Sequence, residues 1–478
     1  MATIHTVQHH LPLHRPVALA FRPNSSQLYI ANMDNDSLSI FDTSTSMSME
    51  KKDTLAYHYM THVSSLAFNA NGTEFATCQD STNRYAGPEA WDSIQDWRWN
   101  NVDVVDANAQ AAEGVAGNQF MGPSLWRTSS YALANQQYGN HVWYKDANGT
   151  SKYGSHIDML HQSPRCVGIT YAGVPRVYFA VDDGWGRSKQ HGSIVRYDFS
   201  TDHGEGGSDH TTANVWRYRG FVLTRMPGVA SQIVFDLDTT ALYVADTGGG
   251  RIVKLNVSSG VFNTEETPPY SIQNQPLDEY KYVDIQTYWV LGKGIVTHPS
   301  GLALRKETSG EMVLFVSDFG TSMIHVLFAS NGEVCRPAIS VSVAYGLSGL
   351  TFGSDGTLWA VHAVAPALFT VKGVADVAGR PSFVLAPEEE QPANFNSTPT
   401  PSSSSSSSRS SGHGPAVAPS SPSSPSPGKA NAGRTPSSFV SPDNSDGDGS
   451  STVDAAASKT WSRVAIVVLF GVCWNAMF

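Results

Sequence analysis

Apolar and polar positions along this chain recur in a fixed frame. Leu242–Leu255 reads LYVADTGGGRIVKL, Leu28–Phe41 reads LYIANMDNDSLSIF and Leu314–Leu327 reads LFVSDFGTSMIHVL. The three align without a gap. Each is an apolar run of period two, a polar turn rich in Gly, Asn or Asp, and a second such run, which predicts a β-hairpin. A fourth copy, Leu358–Val371 (LWAVHAVAPALFTV), keeps the frame without the turn chemistry. An isolated hairpin is marginal in water, so the copies must bury their faces against one another.

A second pattern leads into the hairpins. VALAF (Val17–Phe21), SSLAF (Ser64–Phe68), SQIVF (Ser231–Phe235), SGLAL (Ser300–Leu304) and SGLTF (Ser348–Phe352) are apolar strands running into polar turns. PSLW (Pro123–Trp126) and CVGIT (Cys166–Thr170) are weaker copies. The central apolar residues are Leu19, Leu66, Leu125, Val167, Ile233, Leu302 and Leu350. A lead-in strand, a hairpin and a further strand make a four-stranded unit. Such units at roughly 40–50 residues predict an all-β β-propeller. Seven lead-ins favour seven blades; six result if PSLW belongs to its neighbour. Longer intervals place insertions at Gln79–Phe120, Ser200–Val229 and Ser258–Thr297.

The pattern stops near Pro387. The expected organisation is a propeller over 1–385, a disordered Ser/Pro-rich stalk over 386–450 and a hydrophobic C-terminal segment over 451–478. The stalk, with its run Ser402–Ser408, holds too few apolar residues to offset the entropy of ordering. Small residues at Asp448–Ser451, a polar spacer and an apolar tail from Val464 together have the layout of a GPI-anchor signal, with lipidation near Ser450. A short transmembrane anchor is the alternative. The tail of 15 residues falls below the roughly 20 that a spanning helix needs. Asn24, Asn35, Asn71, Asn148, Asn256 and Asn396 each begin N-x-S/T, which fits an exterior, glycosylated protein. The first residues show no signal-peptide pattern, so the cell-surface reading expects a start further upstream.

Net charge is −11 with no basic stripe, which excludes an electrostatic nucleic-acid surface. Cys78, Cys166, Cys335 and Cys473 lie far apart, without metal-binding spacing. They allow one bridge among the first three, or buried thiols. No GxSxG, HExxH, P-loop or post-strand GxGxxG is present, which disfavours α/β hydrolases and nucleotide enzymes.

LYVADTGGGRIVKL and LFVSDFGTSMIHVL, with the lead-ins HPSGLAL and HVSSLAF, resemble the NHL family of propellers over roughly residues 12–375. The resemblance implies the fold. For function it implies either a binding module, with an extracellular protein, glycan or small-molecule ligand as partner, or an enzyme. Peptide-amidating lyases of this family hold zinc in the central channel with histidines from several blades. Four residues before each central apolar residue stand Arg15, His62, Met121, Ser163, Val229, His298 and Gly346. His62 and His298, with His161 beside the column, could supply three imidazoles to the catalytic metal of a metal-dependent lyase or hydrolase, and Arg15 could hold an anionic substrate. The simpler reading makes the histidines loop caps. Asp202, His203, Glu205, Asp209 and His210 in DHGEGGSDH could bind Ca²⁺ or Zn²⁺, against a flexible Gly-rich loop. Asn32, Asp182, Asp246, Asp318 and His362 share the fifth hairpin position, where bonds to nearby backbone are expected. Trp91, Trp97 and Trp99 suit loop packing or an aromatic platform.

Overall fold

The computed structural model describes residues 3–7, 10–52, 59–81, 121–129, 143–145, 151–153, 155–182, 193–206, 209–266, 268, 277–341 and 343–374. The expected stalk and tail over 386–478 lie outside these residues, and so do Asn148, Asn396, Ser450, Trp91, Trp97 and Trp99.

The hairpins form as read, and each becomes the middle of a blade. Strand β1 (Thr3–Thr6) comes first and belongs to the last blade. Blade 1 contains β2 (Pro16–Phe21), β3 (Gln27–Asn32), β4 (Ser37–Asp42) and β5 (Ser48–Lys51). Blade 2 contains β6 (Val63–Phe68), β7 (Glu74–Gln79) and β8 (Ser124–Arg127). A separate ribbon of β9 (Trp143–Lys145) and β10 (Ser151–Tyr153) follows, and then β11 (Asp158–Met159), which completes blade 2. Blade 3 contains β12 (Gly168–Tyr171), β13 (Val177–Val181), β14 (Ile194–Asp198) and β15 (Asn214–Arg219). Blade 4 contains β16 (Ile233–Asp236), β17 (Ala241–Asp246) and β18 (Arg251–Asn256). The chain then leaves to make β19 (Val261–Phe262) and β20 (Glu279–Asp284), and returns as β21 (Tyr288–Leu291) to finish blade 4. Strand β20 pairs in parallel with β15, so the blade 4 insertion widens blade 3 to six strands. Blade 5 contains β22 (Pro299–Lys306), β23 (Met312–Asp318), β24 (Met323–Phe328) and β25 (Val334–Ser340). Blade 6 contains β26 (Leu347–Phe352), β27 (Leu358–His362) and β28 (Ala367–Lys372), with β1 as its outer strand.

The described residues thus form six blades. PSLW belongs to β8, the third strand of blade 2, with Leu125 between Ala76 of β7 and Asp158 of β11. The expectation of seven blades took the second arm of a hairpin, displaced by the long insertion after Gln79, for a lead-in. The span read as the insertion Ser200–Val229 holds β15, and the span Ser258–Thr297 holds β19, β20 and β21.

Six lead-in strands line the axis. Each touches the next, from β2 through β6, β12, β16, β22 and β26, and β26 returns to β2. They run so close that side chains near the axis are restricted. A Cβ on Gly168 would stand 2.1 Å from the Ser231 carbonyl oxygen, and one on Gly301 2.3 Å from that of Ser348. Hydroxyls bridge three of the other gaps. Ser64 Oγ donates to Cys166 O at 2.6 Å, Ser300 Oγ to Ala230 O at 2.7 Å and Ser348 Oγ to Val17 O at 2.7 Å. These serines are buried, so their bonds satisfy groups that water does not reach.

The middle strands are buried on both faces: β7 and β17 throughout, and β3 at all but its first residue. The period-two frame therefore does not separate inside from outside, because each blade is sandwiched between two others. Cys78 on β7 and Cys166 just before β12 form a disulfide between blades 2 and 3, while Cys335 is a free thiol.

The ring closes where β1 pairs with β28, from Thr3↔Lys372 to Thr6↔Phe369. Ile4 packs against the blade 5–6 core. Deleting residues 1–7 removes this strand and leaves β28 as a bare edge. The thermal midpoint is expected to fall by several degrees for a loss of a few kcal/mol. An unchanged midpoint would show that β1 does not close the ring.

Candidate functional site

Register corrects the column at the channel mouth. Ile169 pairs with Ala180 as Leu302 pairs with Val316, so the centre of the blade 3 lead-in is Ile169 and not Val167. Met121 and Ser163 leave the column and Arg165 enters it. The six members are Arg15, His62, Arg165, Val229, His298 and Gly346, one per blade. Backbone geometry supports the grouping. Arg15, His62 and Arg165 share a left-handed φ of 53°, 51° and 53°, and Gly346 has φ 128°. Carbonyls of the column accept an equivalent N–H: Met33 to Arg15 at 3.1 Å, Asp80 to His62 at 3.0 Å, Phe319 to His298 at 2.8 Å and Ala363 to Gly346 at 2.8 Å. The Gly shared by Val167–Ile169 and Ser300–Leu302 is the sequence signal for the correct register.

The fifth hairpin position holds the loop that leads into its own blade. Asn32 accepts the His14 N–H at 3.1 Å and donates to Pro12 O at 3.2 Å. The equivalent Gln79 donates to Tyr59 O, and His362 Nε2 lies 3.0 Å from Ala344 O. Asp246 accepts the Thr224 N–H at 2.5 Å and pairs with Arg251 at 2.7 Å. Asp182 pairs with Arg217 at 2.8 Å, and Arg217 in turn donates to Gln162 O. Asp318 accepts N–H groups from Thr297 at 2.7 Å, His298 at 3.1 Å and Gly320 at 3.0 Å. Burial alone would push the Asp318 carboxyl up. Neighbouring His325 and the bonds from Thr297 and His298 outweigh it and hold the group well below the usual carboxylate range. The structural expectation for this position is met, and the side chain reaches the lead-in loop.

Two bonds cross the mouth. Arg15 Nη2 donates to Gly228 O at 2.5 Å, joining blade 1 to the lead-in of blade 4, directly opposite. Arg15 also lies 3.7 Å from Asp34. Burial raises the Asp34 pKa, and Arg15 and His62 oppose that rise. Arg225, also before blade 4, pairs with Asp80 after β7 in blade 2. Beneath them Met33, Val229, Ala230, Phe319 and Ala363 pack into one apolar cluster, with Met226 against it. The mouth is therefore filled by the protein's own side chains.

The histidines are placed separately. His62 is buried with its N–H on Asp36 Oδ1 at 2.8 Å, and the His298 ring sits over Gly320. His161 is buried with its ring centre 5.9 Å from that of His210, whose Nδ1 lies 2.6 Å from Asp158 Oδ1. Among the described residues, no group of three or more His, Cys, Asp or Glu side chains could hold a metal ion. Gly207 and Ser208 of DHGEGGSDH lie outside the described residues, and Asp202 before them makes a tie between blades. Asp202 pairs with Arg127 and with Arg176 at 3.1 Å, and Arg176 reaches Glu74 at 2.8 Å. Exposed Asp209 accepts from the Thr211 hydroxyl at 2.7 Å, and His203 lies 3.9 Å from Asp209.

Of the sequon asparagines, Asn24 and Asn71 are exposed. Asn35 donates to Glu50 at 2.5 Å, and Asn256 accepts the Ser258 N–H at 3.0 Å at the start of a short 3₁₀ turn. On the face away from the lead-in loops, a cavity of 810 Å³ opens between blades 6 and 1. Sequence reasoning missed it, because it joins the first and last repeats.

No protein-family model matches the chain, and no curated protein matches it by sequence. Among solved structures the chain is similar to a luciferin-regenerating enzyme at 9% identity, with 79% of this chain and 98% of that one covered and a TM-score of 0.44. It is also similar to an auxiliary nutrient binding protein from Bacteroides thetaiotaomicron (10% identity, 75% and 69% covered, TM-score 0.42). A third is a streptogramin B lyase (11% identity, 77% and 97% covered, TM-score 0.38).

The Asp318 cluster gives a signed pH dependence. A carboxyl with a lowered folded pKa contributes stability above its unfolded value of about 4, and that contribution is lost as pH falls below it. Asp318→Asn is expected to cost about 2–4 kcal/mol at pH 7. In urea melts the gap to the unsubstituted chain should narrow from pH 7 to pH 3. An equal gap at both values would rule out the ionised carboxylate as its source.

Proposed function

We propose that the ring is an NHL-type ligand- or protein-binding module, held at the cell surface by its C-terminal segment. The observation that carries the binding reading is the filled mouth: Arg15 spans the axis to Gly228, and apolar side chains pack beneath it. Substrate and an open metal position would have to occupy that same volume in the lyase reading. With the mouth filled, the surfaces left for a partner are the blade faces and the grooves between blades.

The hairpin motifs support the NHL assignment. The surface reading draws on the Cys78–Cys166 disulfide, which fits an oxidising compartment, and on the exposed sequons at Asn24 and Asn71. The lipid anchor rests on the layered signal over 445–478.

Two measurements test this. Full-length protein purified without added metal is expected to hold zinc well below one equivalent, unaltered by His62→Ala or His298→Ala. One equivalent of zinc, lost on either substitution, would overturn the binding reading in favour of a channel lyase. Phosphatidylinositol-specific phospholipase C is expected to release the protein from intact cells, and retention would exclude the lipid anchor.

A further inference from the structure

We propose that the cavity between blades 6 and 1 is a subsite for a neutral saccharide. This deepens the binding-module reading and rests on it.

The cavity has the size and lining of a small-ligand site. Its 810 Å³ lies within the range of roughly 300–1,000 Å³ for such sites. Three aromatic rings make its floor. Trp359 is half-buried, with Phe21 edge-on at 5.7 Å and Phe41 tilted at 6.2 Å, so the indole is held in place by packing. Around them the lining is hydroxyl and amide: Asn24 and Ser354 are exposed at the rim, and Thr370 is buried on the wall.

The charged groups of the lining are committed to one another or to the protein. Arg22 Nε donates to Gly72 O at 2.9 Å and Nη1 to Gln27 at 3.2 Å. Both Asp355 oxygens accept from Thr357, at 3.0 and 2.8 Å, and Lys372 faces Asp355 electrostatically. Arg22 and Lys372 against Asp355 leave the lining with one excess positive charge, so the choice of a neutral ligand rests on the aromatic floor and the hydroxyl and amide rim. A pyranose ring presents a C–H face and a rim of hydroxyls. The first matches an aromatic floor, and the second matches neutral donors and acceptors.

The site also straddles the closure of the ring. Val7, Thr370 and Lys372 come from the β1–β28 side, and Phe21 and Phe41 from blade 1. A bound ligand contacts both sides of the seam and so stabilises the closed ring by mass action.

One ligand chemistry has two sources here. Asn24 is exposed in the β2–β3 turn and begins a sequon, so the chain's own glycan could enter the cavity as readily as an external one. The experiment starts with the full chain made without glycosylation. It is titrated with diacetylchitobiose, maltotriose and cellotriose, and with sialic acid as a charged control. Tryptophan fluorescence and the thermal midpoint are followed.

At least one neutral saccharide is expected to change the fluorescence and raise the midpoint, with no response to sialic acid. Trp359→Leu, which keeps apolar packing, is expected to weaken binding about tenfold or more. Ser354→Arg, at an exposed turn, should block it without touching the core. No response to any neutral saccharide, or binding indifferent to both substitutions, overturns the proposal. The N-glycosylated chain then separates the sources. Binding lost on glycosylation and restored by Asn24→Gln assigns the site to the chain's own glycan, and undiminished binding assigns it to an external one. The zinc measurement decides the binding-module reading by itself, so the two can fail independently.

Discussion

The close approach of six strands around one axis is the constraint on which the rest of the structure depends. Gly168 and Gly301 sit where a neighbouring carbonyl leaves no room for a Cβ, and Ser64, Ser300 and Ser348 send their hydroxyls across three other gaps between blades. A short polar side chain at this spacing fills the gap and satisfies the carbonyl of the next blade. A longer apolar one would push the blades apart and leave that carbonyl bare. The lead-in motif thus carries an inter-blade joint at Ser64, Ser300 and Ser348 in blades 2, 5 and 6.

The same closeness decides what the axis can hold. A narrow mouth lined by Arg15, His62, Arg165 and His298 resembles a site when it is read one blade at a time. In three dimensions Arg15 reaches the opposite blade, and Phe319 and Met33 fill the space below. The axis is thus taken up by the protein's own side chains.

The scaffold was legible in the sequence, because each hairpin is local and its turn chemistry is explicit. LYVADTGGGRIVKL folds as β17 and β18 with the pairing that its turn dictates. Blade count was less legible, because long insertions split blade 2 and so separate PSLW from the hairpin it extends. The column was readable to within one register error, and Gly168 held the correction. The bonds that close the mouth were not readable at all. Arg15 and Gly228 are 213 residues apart, and Arg225 and Asp80 are 145 apart. Nothing in local pattern encodes a meeting at that separation. The 810 Å³ cavity was hidden for the same reason.

The pairing of β1 with β28 also sets an order of events. The first strand of the chain finds its partner only in the last blade, at Ala367–Lys372. During synthesis blades 1 to 5 can therefore assemble while β1 stays unpaired and the interface of blade 1 that will meet blade 6 stays uncovered. Ring closure is then the strand pairing of highest sequence separation among the described residues, and it must wait until blade 6 has been made. A nascent chain stalled before blade 6 would expose an apolar blade face and an unpaired strand together, the combination on which chaperones act and through which copies of one chain exchange strands.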